Sequence, residues 1–173
     1  GVGMAAIQLA KRFGCRVLTT VSSDEKEAFC RSMGADETIN YREEDFAERV
    51  QEITDGKGVP VVYESIGKDT YEKSMDCLEN FGMLVNFGNA SGAIPAIEPL
   101  ELMRRGSLAL SRPTLFNYTS DPAMRQTAAQ ALFDIVASGK VKIEIGQTFP
   151  LADVAAAHTA LESRQTTGST VLI

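Results

Sequence analysis

The sequence has one histidine, three cysteines, and aromatic residues at only 7% of the chain. His158 stands on a helix-like stretch far from any cysteine. Cys15, Cys30 and Cys77 are odd in number and fit no zinc-ligand spacing. A metal site within the chain is therefore not expected. Cys15 and Cys77 sit among apolar neighbours, which predicts buried, reduced thiols and a cytoplasmic protein. No apolar run reaches the ~18 residues that cross a bilayer, and no secretory signal is visible. The net charge is −6, with acids and bases interspersed. There is no run of Lys or Arg of the kind that tracks nucleic acid, so neither nucleic acid nor a membrane is an expected partner.

What is present is an ordinary globular composition, 44% apolar and 23% charged over 173 residues. A chain of this length buries about two thirds of its unfolded surface and needs no covalent staple. Apolar strand-like runs alternate with amphipathic helix-like runs, the pattern of a parallel α/β sheet. Residues 4–13 read as a helix with Ala6, Leu9 and Ala10 on one face and Gly14 at its end. Residues 16–21 read as a strand. Ser23 or Asp24 then caps a helix ending at Gly34. Strands are predicted over 37–40, 59–65 and 82–87, with helices over 43–53 and 69–78 between them. Beyond Ser107 the pattern changes: an exposed strand at Leu108–Leu110, a loop at 117–121, a helix over 123–137, a half-exposed strand at 140–145, a helix within 150–163 and a last strand at 169–173.

A doubly wound sheet begins with a strand that runs into a glycine loop, yet none precedes Gly1. Neighbouring strands would be left with unpaired edges, so the natural protein is expected to extend upstream. The first residues read Gly1-Val2-Gly3-Met4-Ala5-Ala6, literally G-x-G-x-x-A. Glycines at a helix start let a pyrophosphate approach free N–H groups. The same residues also suit a simple turn. At the end of the second strand, where an acid would hold an adenosine ribose, stand Thr20-Val21-Ser22-Ser23 and no acid. Lys26 follows, placed to reach a ribose 2′-phosphate or to be a solvated lysine between Glu25 and Glu27.

Several stretches together are similar to the zeta-crystallin-like quinone oxidoreductases of the medium-chain dehydrogenase/reductase superfamily. These are Thr20-Val21-Ser22, Glu25-Lys26, Gly34-Ala35-Asp36, residues 39–45, residues 62–67, residues 87–92, Gly106-Ser107-Leu108 with Arg112-Pro113, and Leu161-Glu162-Ser163-Arg164 with Gly168. The resemblance implies a Rossmann-type doubly wound sheet, lacking its first strand, over 1–115. Residues 116–173 would be a segment returning to a GroES-like catalytic domain. It implies NADPH as cofactor, zinc-independent hydride transfer to a quinone or enone, and a homodimer through Leu108–Leu110. Gly1, Val2 and Gly3 match the end of the family's phosphate loop. Ser22 marks the selector position. Lys26, Tyr41 and Arg164 match residues around the 2′-phosphate, and Phe87, Gly88 and Asn89 match those near the nicotinamide. Ser65 and Gly67 would wall the cleft. No catalytic acid is identified, and the chain alone is expected to be inactive. The family often carries Asp where this sequence has Glu64. A zinc-dependent alcohol dehydrogenase, or a crystallin-like or RNA-binding role, is the alternative.

Overall fold

The computed structural model describes residues 1–163 and 165–173, which form two compact units. The first comprises residues 1–40 and 126–173. It opens with helix α1 (Val2–Arg12), whose buried residues are Met4 and Ile7. Ala6 is exposed, so the helix is rotated from the face expected on the sequence. Gly14 ends it with φ +77°, the left-handed conformation that closes a helix at little cost in glycine. Strand β1 (Leu18–Val21) pairs in parallel with β2 (Glu37–Asn40), and α2 (Asp24–Ser32) forms the crossover. The extended Ser23 caps α2, its hydroxyl accepting from the Lys26 N–H at 3.4 Å. Three acids in the first turn favour the positive end of the helix dipole.

The later part of this unit holds most of helix α7 (Pro122–Ala137). Strand β6 (Ile145–Phe149) pairs in parallel with β7 (Ser169–Leu172), through a 3-10 turn at Leu151–Asp153 and helix α8 (Val154–Glu162). The strand expected at 140–145 is not there. The backbone of Lys142 is satisfied instead by a side chain: its N–H donates to Gln8 Oε1 at 2.8 Å, and its carbonyl accepts from Gln8 Nε2 at 2.9 Å.

The second unit spans residues 41–125. Helix α3 (Phe46–Ile53) begins later than expected because Asp45 caps it, accepting from the Ala47 and Glu48 N–H groups. Strands β3 (Val59–Glu64), β4 (Leu78–Asn86) and β5 (Ala109–Ser111) form a parallel sheet in that order, with β5 at its edge. The crossovers are α4 (Tyr71–Asp76) and α5 (Pro99–Arg104). Met75, Leu78, Leu84 and Leu108 form its core. Leu108, expected on the exposed strand, is thus buried just before β5 begins. The loop expected at 117–121 is mostly helix α6 (Leu115–Thr119), closed by the Thr119 hydroxyl on the Leu115 carbonyl.

These parallel ladders with helical crossovers are the expected Rossmann-type α/β architecture. Cys77 is buried as expected, and burial, aided by the charges of Asp76 and Asp45, pushes its thiol up to about 12. Cys15 is exposed, contrary to expectation, because it lies in the short link after Gly14 and outside any packed element. No helix among the described residues is long and apolar enough to cross a membrane.

Candidate functional site

The structure divides the candidate residues into two groups, one in each unit, and Arg164 lies outside the described residues. In the first unit, Gly1 is the N-cap of α1, with no side chain capping the first turn and no acid within it. Among the described residues no side chain accepts from the first-turn N–H groups of this 11-residue helix. A Cβ added to Gly3 would meet nothing within 4 Å, so nothing in this chain demands a glycine there.

Ser22 and Lys26 are brought together. Ser22 is buried at the carboxyl end of β1, and Lys26 sits in the first turn of α2. The Lys26 ammonium donates to Ser22 Oγ at 3.3 Å. The Ser23 cap places Lys26 by fixing where the helix starts. A hydroxyl and an ammonium at this strand end present donors to an anion, whereas an acid would repel one.

In the second unit, Tyr41 follows β2 and is partly exposed. Ser65 and Gly67 follow β3, and Phe87, Gly88 and Asn89 follow β4, so both stretches lie at carboxyl ends of parallel strands. Backbone hydrogen bonds join these stretches: Phe87 N–H to the Glu64 carbonyl at 2.8 Å, Ala90 N–H to Ser65 at 3.2 Å, and Ser91 N–H to Ile66 at 2.7 Å. The approach is close enough to require glycine. A Cβ on Gly88 would lie 2.4 Å from the Ser65 carbonyl oxygen, and one on Gly67 would lie 2.2 Å from that of Gly92.

Sequence reasoning noted Glu64 only as a departure from a family pattern, and it missed Asn86 and Thr70. Glu64 and Asn86 end β3 and β4 in cross-strand register. Glu64 is 3% exposed and Asn86 0%. Glu64 Oε1 accepts from Ile66 N–H at 2.7 Å, Gly67 N–H at 2.9 Å and Thr70 Oγ at 2.8 Å. Glu64 Oε2 accepts from Asn86 Nδ2 at 2.6 Å, and the same Nδ2 donates to the Gly88 carbonyl at 3.1 Å. The available signal was a polar residue ending each of two apolar strand runs. No group of three or more His, Cys, Asp and Glu side chains able to hold a metal ion is found among the described residues.

Comparison with known proteins bears on the family and the fold. The chain is 50% identical to the quinone oxidoreductase of Pseudomonas aeruginosa over all 173 residues, which cover 53% of that protein. It is 46% identical to a 2-haloacrylate reductase of a Burkholderia species, covering all of this chain and 52% of the relative. The structure superposes on Escherichia coli quinone oxidoreductase complexed with NADPH at a TM-score of 0.95 and 44% identity, covering 100% of this chain and 54% of that one. The chain thus spans about half the length of the curated relatives it matches. The zinc-binding dehydrogenase family model matches residues 1–133, well over half of the chain, and the chain belongs to that family.

Proposed function

We propose that the full-length protein is an NADPH-dependent, zinc-independent reductase of a quinone or another conjugated carbonyl compound. The observation that carries this reading is the end of β1, where Lys26 meets Ser22 and no acid stands. An ammonium there suits a 2′-phosphate dianion, and Tyr41 and Arg164 would complete its surroundings. The uncapped start of α1 at Gly1, Val2 and Gly3 suits the pyrophosphate, and the space over Gly3 leaves room for it. Ser65, Gly67, Phe87, Gly88 and Asn89 would wall the nicotinamide end of the cleft. The NADPH complex of the Escherichia coli protein and the names of the relatives support the same reading.

The bound nicotinamide supplies a hydride from its C4. The acceptor is an alkene conjugated to a carbonyl: it takes the electron pair at its conjugated system and one proton from outside. This chain's residues bind and orient. The α1 start and Lys26 would hold the cofactor's anionic groups, and the loops after β3 and β4 would shape the nicotinamide site. In this reading residues 1–115 bind the cofactor, residues 116–173 return to a catalytic domain, and the protein is cytoplasmic. A homodimer forms through the edge at Leu108–Leu110, where β5 leaves one side unpaired in its own sheet and Leu110, unlike the core residue Leu108, is exposed. The substitution Leu110→Lys should then halve the mass measured by light scattering, and a wild type already monomeric would overturn the dimer.

Fluorescence titration of the full-length protein tests the cofactor. Wild type should bind NADPH more tightly than NADH. Lys26→Ala should weaken NADPH binding by about 1–3 kcal/mol and leave NADH nearly unchanged, since one charge-assisted contact is removed. Equal affinity of the wild type for the two cofactors would refute the assignment. Stoichiometric zinc in the purified protein would refute the zinc-independent mechanism.

A further inference from the structure

We propose that Glu64 is a positioning residue for the cofactor site: its buried carboxylate holds both strand-end loops in shape without touching the cofactor. This rests on the cofactor reading above. The four donors on Glu64 come from three separate pieces of backbone. Ile66 and Gly67 belong to the loop after β3, Thr70 is the N-cap of α4, and Asn86 ends β4 and passes the connection on to Gly88. One anion thus gathers the β3 loop, the start of α4 and the β4 loop.

All four donors are neutral, and among the described residues no cation pairs with this carboxylate. An anion buried without a cation is a poor way to stabilise a fold. Its use here is geometric. A carboxylate is acceptor-only, so every N–H or O–H aimed at it is satisfied at once, and each fixes the segment that carries it. The shapes so fixed are the ones that bring Gly67 and Gly88 against opposing backbone. An amide in place of the carboxylate would turn an NH2 toward at least one of these donors.

The test uses the full-length protein at a temperature well below its unfolding transition. Two quantities are read: the NADPH dissociation constant, and hydrogen exchange of the Ile66, Gly67 and Gly88 amides in the cofactor-free protein, with the core amide of Leu84 as reference. Glu64→Gln should raise the dissociation constant about tenfold and speed exchange at the loop amides but not at Leu84. Thr70→Val removes a single donor and should raise the constant roughly two- to threefold. Glu64→Asp keeps the charge and should recover affinity to within about threefold of wild type. Asp as impaired as Gln would count against the carboxylate. A purely structural role predicts a lower unfolding temperature with unchanged affinity and unchanged loop exchange, and that result overturns the proposal. Should Glu64→Gln fail to fold, an unaltered dissociation constant in Thr70→Val overturns it equally. A wild type that binds no NADPH would sink the cofactor reading. The exchange measurement needs no cofactor, so it would still decide whether Glu64 shapes the loops.

Discussion

The two regions that hold candidate residues, one in each unit, are built on different plans. In the first unit, the α1 start has no capping side chain among the described residues and Gly3 has open space around it, while Lys26 is placed on Ser22 by the Ser23 cap. Around Glu64 and Asn86 the chain is closed on itself, with buried polar groups and glycines pressed against backbone. The first region carries the glycine motif with a physical rationale, and the second is recognised only by its resemblance to a family pattern at residues 62–67 and 87–92. A motif of this kind is selected by a ligand's shape, so its residues look underused in the protein alone.

Glycine substitutions put that contrast at risk most directly. Gly67→Ala forces a side chain onto a backbone at φ +95° with an oxygen 2.2 Å away. It should cost about 3 kcal/mol or more in urea denaturation. Stability equal to wild type would mean the loops are looser than described. Gly3→Ala should act in reverse. Alanine in the helix should stabilise by about 0.5–1 kcal/mol, while NADPH affinity falls because the methyl occupies the space a phosphate needs. Gly3→Ala binding NADPH as well as wild type does would remove the ligand-based explanation of that glycine.

A smaller effect treats the two units alike. The Lys11 ammonium, with the Val17 N–H, holds the Asp36 carboxyl below its usual range, and Lys73 does the same for Asp45. Folded values lie below unfolded ones, so each group contributes stability that is present above the ordinary carboxylate range. That stability is lost as pH falls through the lowered folded value. The unfolding temperature should therefore drop between about pH 5 and pH 3. Asp36→Asn and Asp45→Asn should each show a shallower drop. Since both pairs are largely solvated, the change should be modest, and a pH profile identical to wild type in both variants would show that neither pair matters.

Legibility in the sequence followed the range of the interactions. Strand β2 was readable at Glu37–Asn40, and the glycine closing α1 was readable at Gly14, because the signals are local. Helix α5 was overlooked although Pro99 stands in its first turn and Glu101 follows, both helix-start signals. At helix α6 the turn formers Asn117, Ser120 and Asp121 signal a loop, yet the Ser and Thr hydroxyls fold back onto helical carbonyls. The displaced strand at 140–145 had no local signal, because Gln8 satisfies Lys142 from 134 residues away. The same holds for the hub: Glu64 and Asn86 lie 22 residues apart, and only strand register brings them together.

The thiol of Cys77 has a consequence for the proposed reduction of electrophilic quinones and enones. Quinones add to thiolates, and a thiol held near 12 supplies almost none at neutral pH. Buried at the end of α4, Cys77 should survive prolonged exposure to a quinone unmodified, and arylation should fall first on the exposed Cys15.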